Sequence, residues 1–170
     1  ATLFRLKEDL NLNKNTLVIL RWIAIIGQLT AINLVYFYLK LDFNIFIAYL
    51  VILTGLSTNL VLQFKIKSIL LKDLYASLFL IYDLVQLSLL LYLTGGISNP
   101  FSILMIIPAI VSSSFLSMGT TIILGILTII FLFLLTIFHQ PLPGIHDDIS
   151  LTFPKLYLEG YFIAIIVGLV

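Results

Sequence analysis

The chain contains no cysteine, and only 10% of its 170 residues are charged. Without thiols, disulfides, thiolate nucleophiles and Cys-ligated metals are excluded within it. An ordinary soluble domain is about 25% charged, and this chain falls far below that. The same shortage excludes a disordered chain and a nucleic-acid-binding module, both of which depend on charge. Catalytic constellations are missing too: there is no Ser/His/Asp arrangement, no carboxylate pair and no phosphate-binding glycine loop. A signal peptide is not expected, because the polar stretch ATLFRLKEDLNLNKNT precedes the first apolar run and no small-residue cleavage site follows it.

What the chain does have is apolar side chain, at 61% of residues, with a mean hydropathy of +1.20. A soluble domain of this length buries about 70% of its surface, too little to hide so much hydrocarbon. The solvent is therefore lipid. At about 20 residues per spanning helix, six spans use about 120 residues and leave roughly 50 for termini and loops. The expectation is an all-α integral membrane protein, a six-helix bundle with short loops. Residues 1–16 form a polar N-terminal segment, and the spans fall at about 17–39, 44–64, 73–94, 101–117, 119–138 and 156–170. The fourth carries Pro108 in its interior. The sixth has run only about 15 residues by Val170, short of a hydrocarbon core about 30 Å thick. It reads as a truncated helix, with no kinase or other soluble domain in this chain.

Charge placement orients the bundle. With the N-terminus inside, Arg5, Lys7, Lys14, Arg21, Lys65, Lys67 and Lys72 are inner, and only Lys40 and Lys155 are outer. That is the positive-inside bias, and it puts both termini in the cytoplasm. Trp22 and Tyr75 then lie near the inner interface, and Tyr36, Tyr38, Tyr92 and Tyr157 near the outer one.

Polar side chains inside the membrane need partners or a purpose. Gln28 and Asp83 sit at similar depth, about 15 Å from the inner surface, and would satisfy one another if Asp83 is protonated. Gln86 lies one turn from Asp83 and joins them. Arg21 and Asn59 sit about 6–8 Å in from the inner side. These residues read as interhelical contacts, or alternatively as a polar path through a small transporter or channel. Glu159 opens the sixth span at the outer level, near Asn33. It reads either as a solvated carboxylate in a first helical turn or as a second polar wall of an outward-facing site. Gly160, Ala164 and Gly168 give the sixth span a small-residue face suited to bundle packing or a homodimer. His139, His146, Asp147 and Asp148 occupy the outer loop without metal-ligand spacing, and no metal is expected.

One outer loop stands apart. In Gly95–Gly96–Ile97–Ser98–Asn99–Pro100–Phe101, glycine suits the C-cap of the third span, and Asn99–Pro100 suits the N-cap and first turn of the fourth. Those residues make a tight hairpin. They also suit an aromatic, carbonyl-bearing lipid ligand: glycines admit a planar ring, backbone N–H groups and the Asn99 amide donate, and Phe101 stacks.

This G-G-x-x-N-P-F heptad, in a short outer loop between spans three and four, resembles the membrane sensor domain of RegB/PrrB-type redox-responsive histidine kinases. LRWIAIIGQL, carrying Arg21, Trp22 and Gln28, is similar to that family's first helix. The resemblance implies a quinone site at Gly95, Gly96, Asn99, Pro100 and Phe101, with ubiquinone or another membrane quinone as ligand. It implies a bacterial inner-membrane location and a homodimer relaying redox state through span six. It also implies a cytoplasmic histidine kinase using ATP and Mg, and a response-regulator partner; both lie outside this chain. No residue here is expected to be catalytic.

Overall fold

A computed structural model describes residues 12–38, 40 and 42–138. The sixth span, Glu159, the loop histidines and the first eleven residues lie outside the described residues. Helix α1 (Lys14–Asn33) continues through a wider π turn at Leu34–Tyr38. It is followed by α2 (Ile45–Phe64), α3 (Asp73–Leu93), α4 (Ile107–Phe115) and α5 (Met118–Ile137). Short two-residue strands β1 (Leu12–Asn13) and β2 (Leu70–Leu71) pair antiparallel, with Leu12 opposite Leu71. That bridge ties the entry of α1 to the α2–α3 connection, and the Lys14 N–H donates to Ile69 O at 2.9 Å.

Caps set the helix starts. Asn13 Oδ1 accepts from Asn15 N, Asn44 Oδ1 from Ile47 N, and Ser117 Oγ from Thr120 N, each satisfying an orphan first-turn donor. At the other end of α2, the Lys14 ammonium donates to Ile66 O at 2.7 Å, a cation at a helix C-terminus. The end of the bundle carrying Lys14, Lys65, Lys67 and Lys72 is called the basic end below, and the opposite one the loop end.

Among the described residues, four helices are long and apolar enough to cross a membrane: α1 with its π turn, α2, α3 and α5. The protein is thus an all-α membrane protein; these four are the first, second, third and fifth of the expected spans, the fourth is the shorter apolar helix Phe101–Phe115, and the sixth lies outside the described residues. The expected fourth span differs most. Residues Pro100–Ile106 wind as a 3₁₀ helix, and the α-helix begins only at Ile107. Pro108 therefore lies inside the fourth segment, as expected, but in the first turn of its α-helical part, and Leu104 O, four residues back, already accepts from Ile107 N. A 3₁₀ helix rises about 2.0 Å per residue against 1.5 Å, so the two segments together climb roughly 27 Å, close to the hydrocarbon thickness.

The interior is assembled from three apolar clusters. Leu17, Val18, Leu62, Leu80 and Leu124 pack with the strand residues Leu12 and Leu71 at the basic end. Ile25, Ile32, Ala48, Ile52 and Leu90 join α1, α2 and α3 toward the loop end. Leu84, Leu91, Met105, Leu132 and Leu135 join α3, the 3₁₀ helix and α5. Helix α3 contributes to all three and is the hub of the bundle. Large aliphatics also cover the outside, such as Ile23 at 63% exposed on α1 and Ile123 at 55% on α5. Helices apolar on every side belong in lipid.

Candidate functional site

At the loop end, α3 stops because Gly95 turns left-handed, at φ 101°, and Gly96 follows at φ 60°. Side-chain-bearing residues reach that region only at a cost of roughly 1–2 kcal/mol, so glycine is the residue the turn requires. Gly96–Ser98 then make one 3₁₀ turn, and Asn99 closes it. The Asn99 amide nitrogen donates to Thr94 O at 3.2 Å and to Thr94 Oγ1 at 3.0 Å. Its Oδ1 accepts from Phe101 N at 3.0 Å, capping the 3₁₀ helix Pro100–Ile106. A single side chain thereby clasps the end of α3 to the start of the next segment. Gly95, Gly96 and Ile97 are buried, whereas Phe101 is 48% exposed. The Asn99 amide hydrogens are committed inside the loop. Asn99 shapes the loop, and the Phe101 ring is the surface it offers. Thr94, which the sequence reading passed over, is the clasp's other half; a threonine at a helix C-cap beside two glycines was the available signal.

Asn33 takes no part in the loop. Its amide donates to Leu29 O at 2.7 Å, and its Oδ1 accepts from the Tyr49 hydroxyl, so its polar partners are in α1 and α2.

Nearer mid-bundle, the polar residues pair differently from the sequence expectation. Asp83 Oδ1 accepts from Arg21 Nε at 2.9 Å, not from Gln28. Gln28 Oε1 instead accepts from Gln86 Nε2 at 3.2 Å. The reason is reach and charge. Arg21 starts about two turns below Gln28 on the same face of α1, and its long side chain climbs the difference. In apolar surroundings a carboxylate gains far more from a guanidinium than from an amide. Arg21 Nη2 also donates to Thr58 Oγ1 at 2.6 Å, so the guanidinium joins α1, α2 and α3. Its carbon lies 5.1 Å from the Phe79 ring centre and 5.7 Å from that of Tyr82, close enough for cation–π attraction. Asn59, expected beside Arg21, donates instead to Val18 O at 3.4 Å.

A third polar cluster, absent from the sequence reading, lies at the basic end. Asp73, the first residue of α3, accepts from Ser117 N at 2.9 Å, Ser117 Oγ at 3.0 Å and Thr120 Oγ1 at 2.6 Å. The carboxylate sits at the N-terminus of α5 and complements its dipole. Helix α3 is therefore clamped at both ends, by Asn99 at one and by Asp73 at the other.

These features define a polytopic α-helical membrane domain with one glycine-built loop and with polar side chains that pair between helices, save the buried Arg21 Nη1 and Asn59 Oδ1, which have no partner among the described residues. The chain is 36% identical over 155 residues to the sensor histidine kinase RegB of Cereibacter sphaeroides, a match taking in 91% of this chain and 33% of that protein. That match supports a RegB/PrrB-type membrane sensor domain. The chain spans about a third of the length of that relative. No protein-family model and no solved structure matches it.

Proposed function

We propose that this chain is the signal-input domain of a redox-responsive sensor histidine kinase, sensing a membrane quinone at the Gly95–Phe101 loop. The observation carrying this reading is the loop itself: two left-handed glycines and the Asn99 clasp fix a compact turn beside the half-exposed Phe101 ring. In this reading Phe101 stacks on the quinone ring, while Gly95, Gly96, Asn99 and Pro100 hold the turn that presents it. Helix α3 connects the loop to the Asp73 clamp on α5, so a ligand favouring one loop geometry biases helix positions at the basic end. The complete bundle has six spans, with both termini on the cytoplasmic side of the bacterial inner membrane. Span six passes the bias to a kinase domain that uses ATP and Mg. The parent protein works as a homodimer and phosphorylates a response regulator.

The alternative, a transporter path around Asp83, Gln86 and Gln28, is disfavoured because Asp83 is tied to Arg21 and Gln28 to Gln86. Quinone binding to the full-length protein in nanodiscs tests the sensor reading. Phe101→Ala and Asn99→Ala are each expected to weaken it about tenfold, on the order of one stacked ring or one ordered loop. Unchanged affinity in both variants would remove the loop as the site.

A further inference from the structure

The connection between α2 and α3 carries three lysines and no acid of its own. Lys65 follows the last residue of α2, Lys72 precedes the first of α3, and Lys67 lies between them. All three are exposed. Among the described residues none of the three makes an ion pair or donates a side-chain hydrogen bond, whereas the neighbouring Lys14 ammonium is committed to Ile66 O. Asp73, the nearest carboxylate, is taken by Ser117 and Thr120. Residues 1–11 leave the balance unchanged, since Arg5 and Lys7 are matched in number by Glu8 and Asp9. The basic end therefore has cations to spare.

Between those lysines the connection is apolar and faces outward. Ile69 is 66% exposed and Leu70 51% exposed. Successive side chains of a strand point to opposite faces, so the β1–β2 pairing that buries Leu71 turns Leu70 out. Ile69 O accepts from Lys14 N, and Leu70 O from the Ser68 hydroxyl, which holds both aliphatics in place. The flanking helix ends add the exposed side chains of Phe64 and Leu74. Helices α2 and α3 are both long enough to span, so this connection stands where they leave the membrane. A patch that joins apolar side chains to unpaired charge at that level marks an interaction surface.

We infer that the α2–α3 connection is a docking site for an anionic phospholipid in the leaflet at the basic end. Lys65, Lys67 and Lys72 supply the positive charge for the headgroup phosphate, and Ile69 and Leu70 sit against the acyl chains. Charge complementarity selects the occupant. Three unpaired cations suit a lipid whose phosphate carries the net charge, and they repel the ammonium of a zwitterionic headgroup. A soluble anion would satisfy the lysines but offer nothing to Ile69 and Leu70. The strand bridge orders the connection in advance, so binding loses little conformational freedom there. The site is independent of the Gly95–Phe101 loop, which lies at the opposite end of α3.

The test is native mass spectrometry of the full-length protein in detergent, titrated separately with phosphatidylglycerol and phosphatidylcholine of identical acyl chains. The first phosphatidylglycerol is expected to bind about tenfold or more tighter, the size of two or three lysines acting at a membrane surface. Lys65→Gln/Lys67→Gln/Lys72→Gln should bring the two affinities within about twofold, and the corresponding triple arginine variant should keep the preference. Ile69→Ser/Leu70→Ser, which leaves the lysines in place, should weaken phosphatidylglycerol binding about tenfold. Lys40→Gln at the loop end and Phe101→Ala should change nothing. Equal affinity for the two lipids, or a preference that survives the triple glutamine variant, would overturn the site. So would a preference lost in Lys40→Gln, or phosphatidylglycerol binding indifferent to Ile69→Ser/Leu70→Ser. Complete displacement of phosphatidylglycerol by millimolar glycerol 3-phosphate would make the lysines a site for a soluble anion and overturn the lipid.

Discussion

Arg21 on α1 and Asp83 on α3 form an ion pair at 2.9 Å, 62 residues apart in sequence, with the Arg21 side chain 5% exposed. A second rung, Gln28 to Gln86, lies above it on the same two helices. Helices α1 and α3 run in the same direction, so Arg21 and Gln28 on one meet Asp83 and Gln86 on the other in matching order. The two helices are thus held by long polar side chains, while each also packs its apolar surface on α2.

Removing one partner of a buried ion pair leaves an uncompensated charge in an apolar setting, which costs about 3–5 kcal/mol in buried pairs generally. Arg21→Met and Asp83→Leu should each lower the thermal unfolding midpoint in detergent markedly. The double variant Arg21→Met/Asp83→Leu should recover most of the loss, because no charge is stranded. Additive losses in the double variant would show that the two side chains act independently.

How much of this was legible beforehand differs from one element to another. The membrane setting, the apolar helices and the Gly95–Phe101 hairpin follow from composition and from turn chemistry, which act locally. The partner of Asp83 does not. Depth along a helix is readable from sequence, but depth alone sets Asp83 level with Gln28 and puts Arg21 lower, beside Asn59; the reach of the Arg21 side chain and the packing of α1 against α2 and α3 reverse that pairing. The Asp73–Ser117 contact spans 44 residues and joins two helix ends with no sequence periodicity between them. The 3₁₀ winding of Pro100–Ile106 was equally hidden, since 3₁₀ and α-helices draw on the same apolar residues.

Gly55→Ala offers a sharper probe of the interior. The added Cβ would stand 2.4 Å from Gln86 Nε2 and 2.8 Å from both Gln86 Cδ and Oε1. The atoms met are the far end of a flexible side chain, so the cost falls toward the lower end of the about 1–3 kcal/mol typical of overpacking. The loss should be relieved in Gly55→Ala/Gln86→Ala, where the obstructing amide is gone. Thermal unfolding of both variants checks it; a neutral Gly55→Ala would mean that Gln86 is free to move away.

At the basic end, Asp73→Ala removes the acceptor for Ser117 N, Ser117 Oγ and Thr120 Oγ1 at once. Hydrogen bonds to a charged group contribute about 1.5–3 kcal/mol in buried sites, and the lower figure suits this partly buried clamp. Hydrogen exchange is the direct measurement. Amide protection should fall over residues 117–121, at the start of α5, and stay unchanged at the β1–β2 bridge. Uniform loss across the bundle would instead make Asp73 a determinant of global stability. Ser117→Ala should show a weaker version, since the Ser117 backbone N–H still reaches the carboxylate.

Pro108→Ala separates the two descriptions of the fourth apolar segment by the sign of its effect. Were Pro108 inside a continuous helix, it would cost about 3 kcal/mol through a lost hydrogen bond and a ring clash, and replacing it would stabilise the protein. In the structure it stands in the first turn of α4, directly after Ile107, whose N–H donates to Leu104 O in the 3₁₀ pattern. There its fixed φ suits the helix start, and Leu104 O, four residues back, is already taken by Ile107 N. Alanine then gains nothing in the folded state and enlarges the unfolded ensemble, which destabilises by about 0.4–1 kcal/mol. A small fall in the unfolding midpoint of Pro108→Ala supports the 3₁₀-to-α junction, and a rise contradicts it.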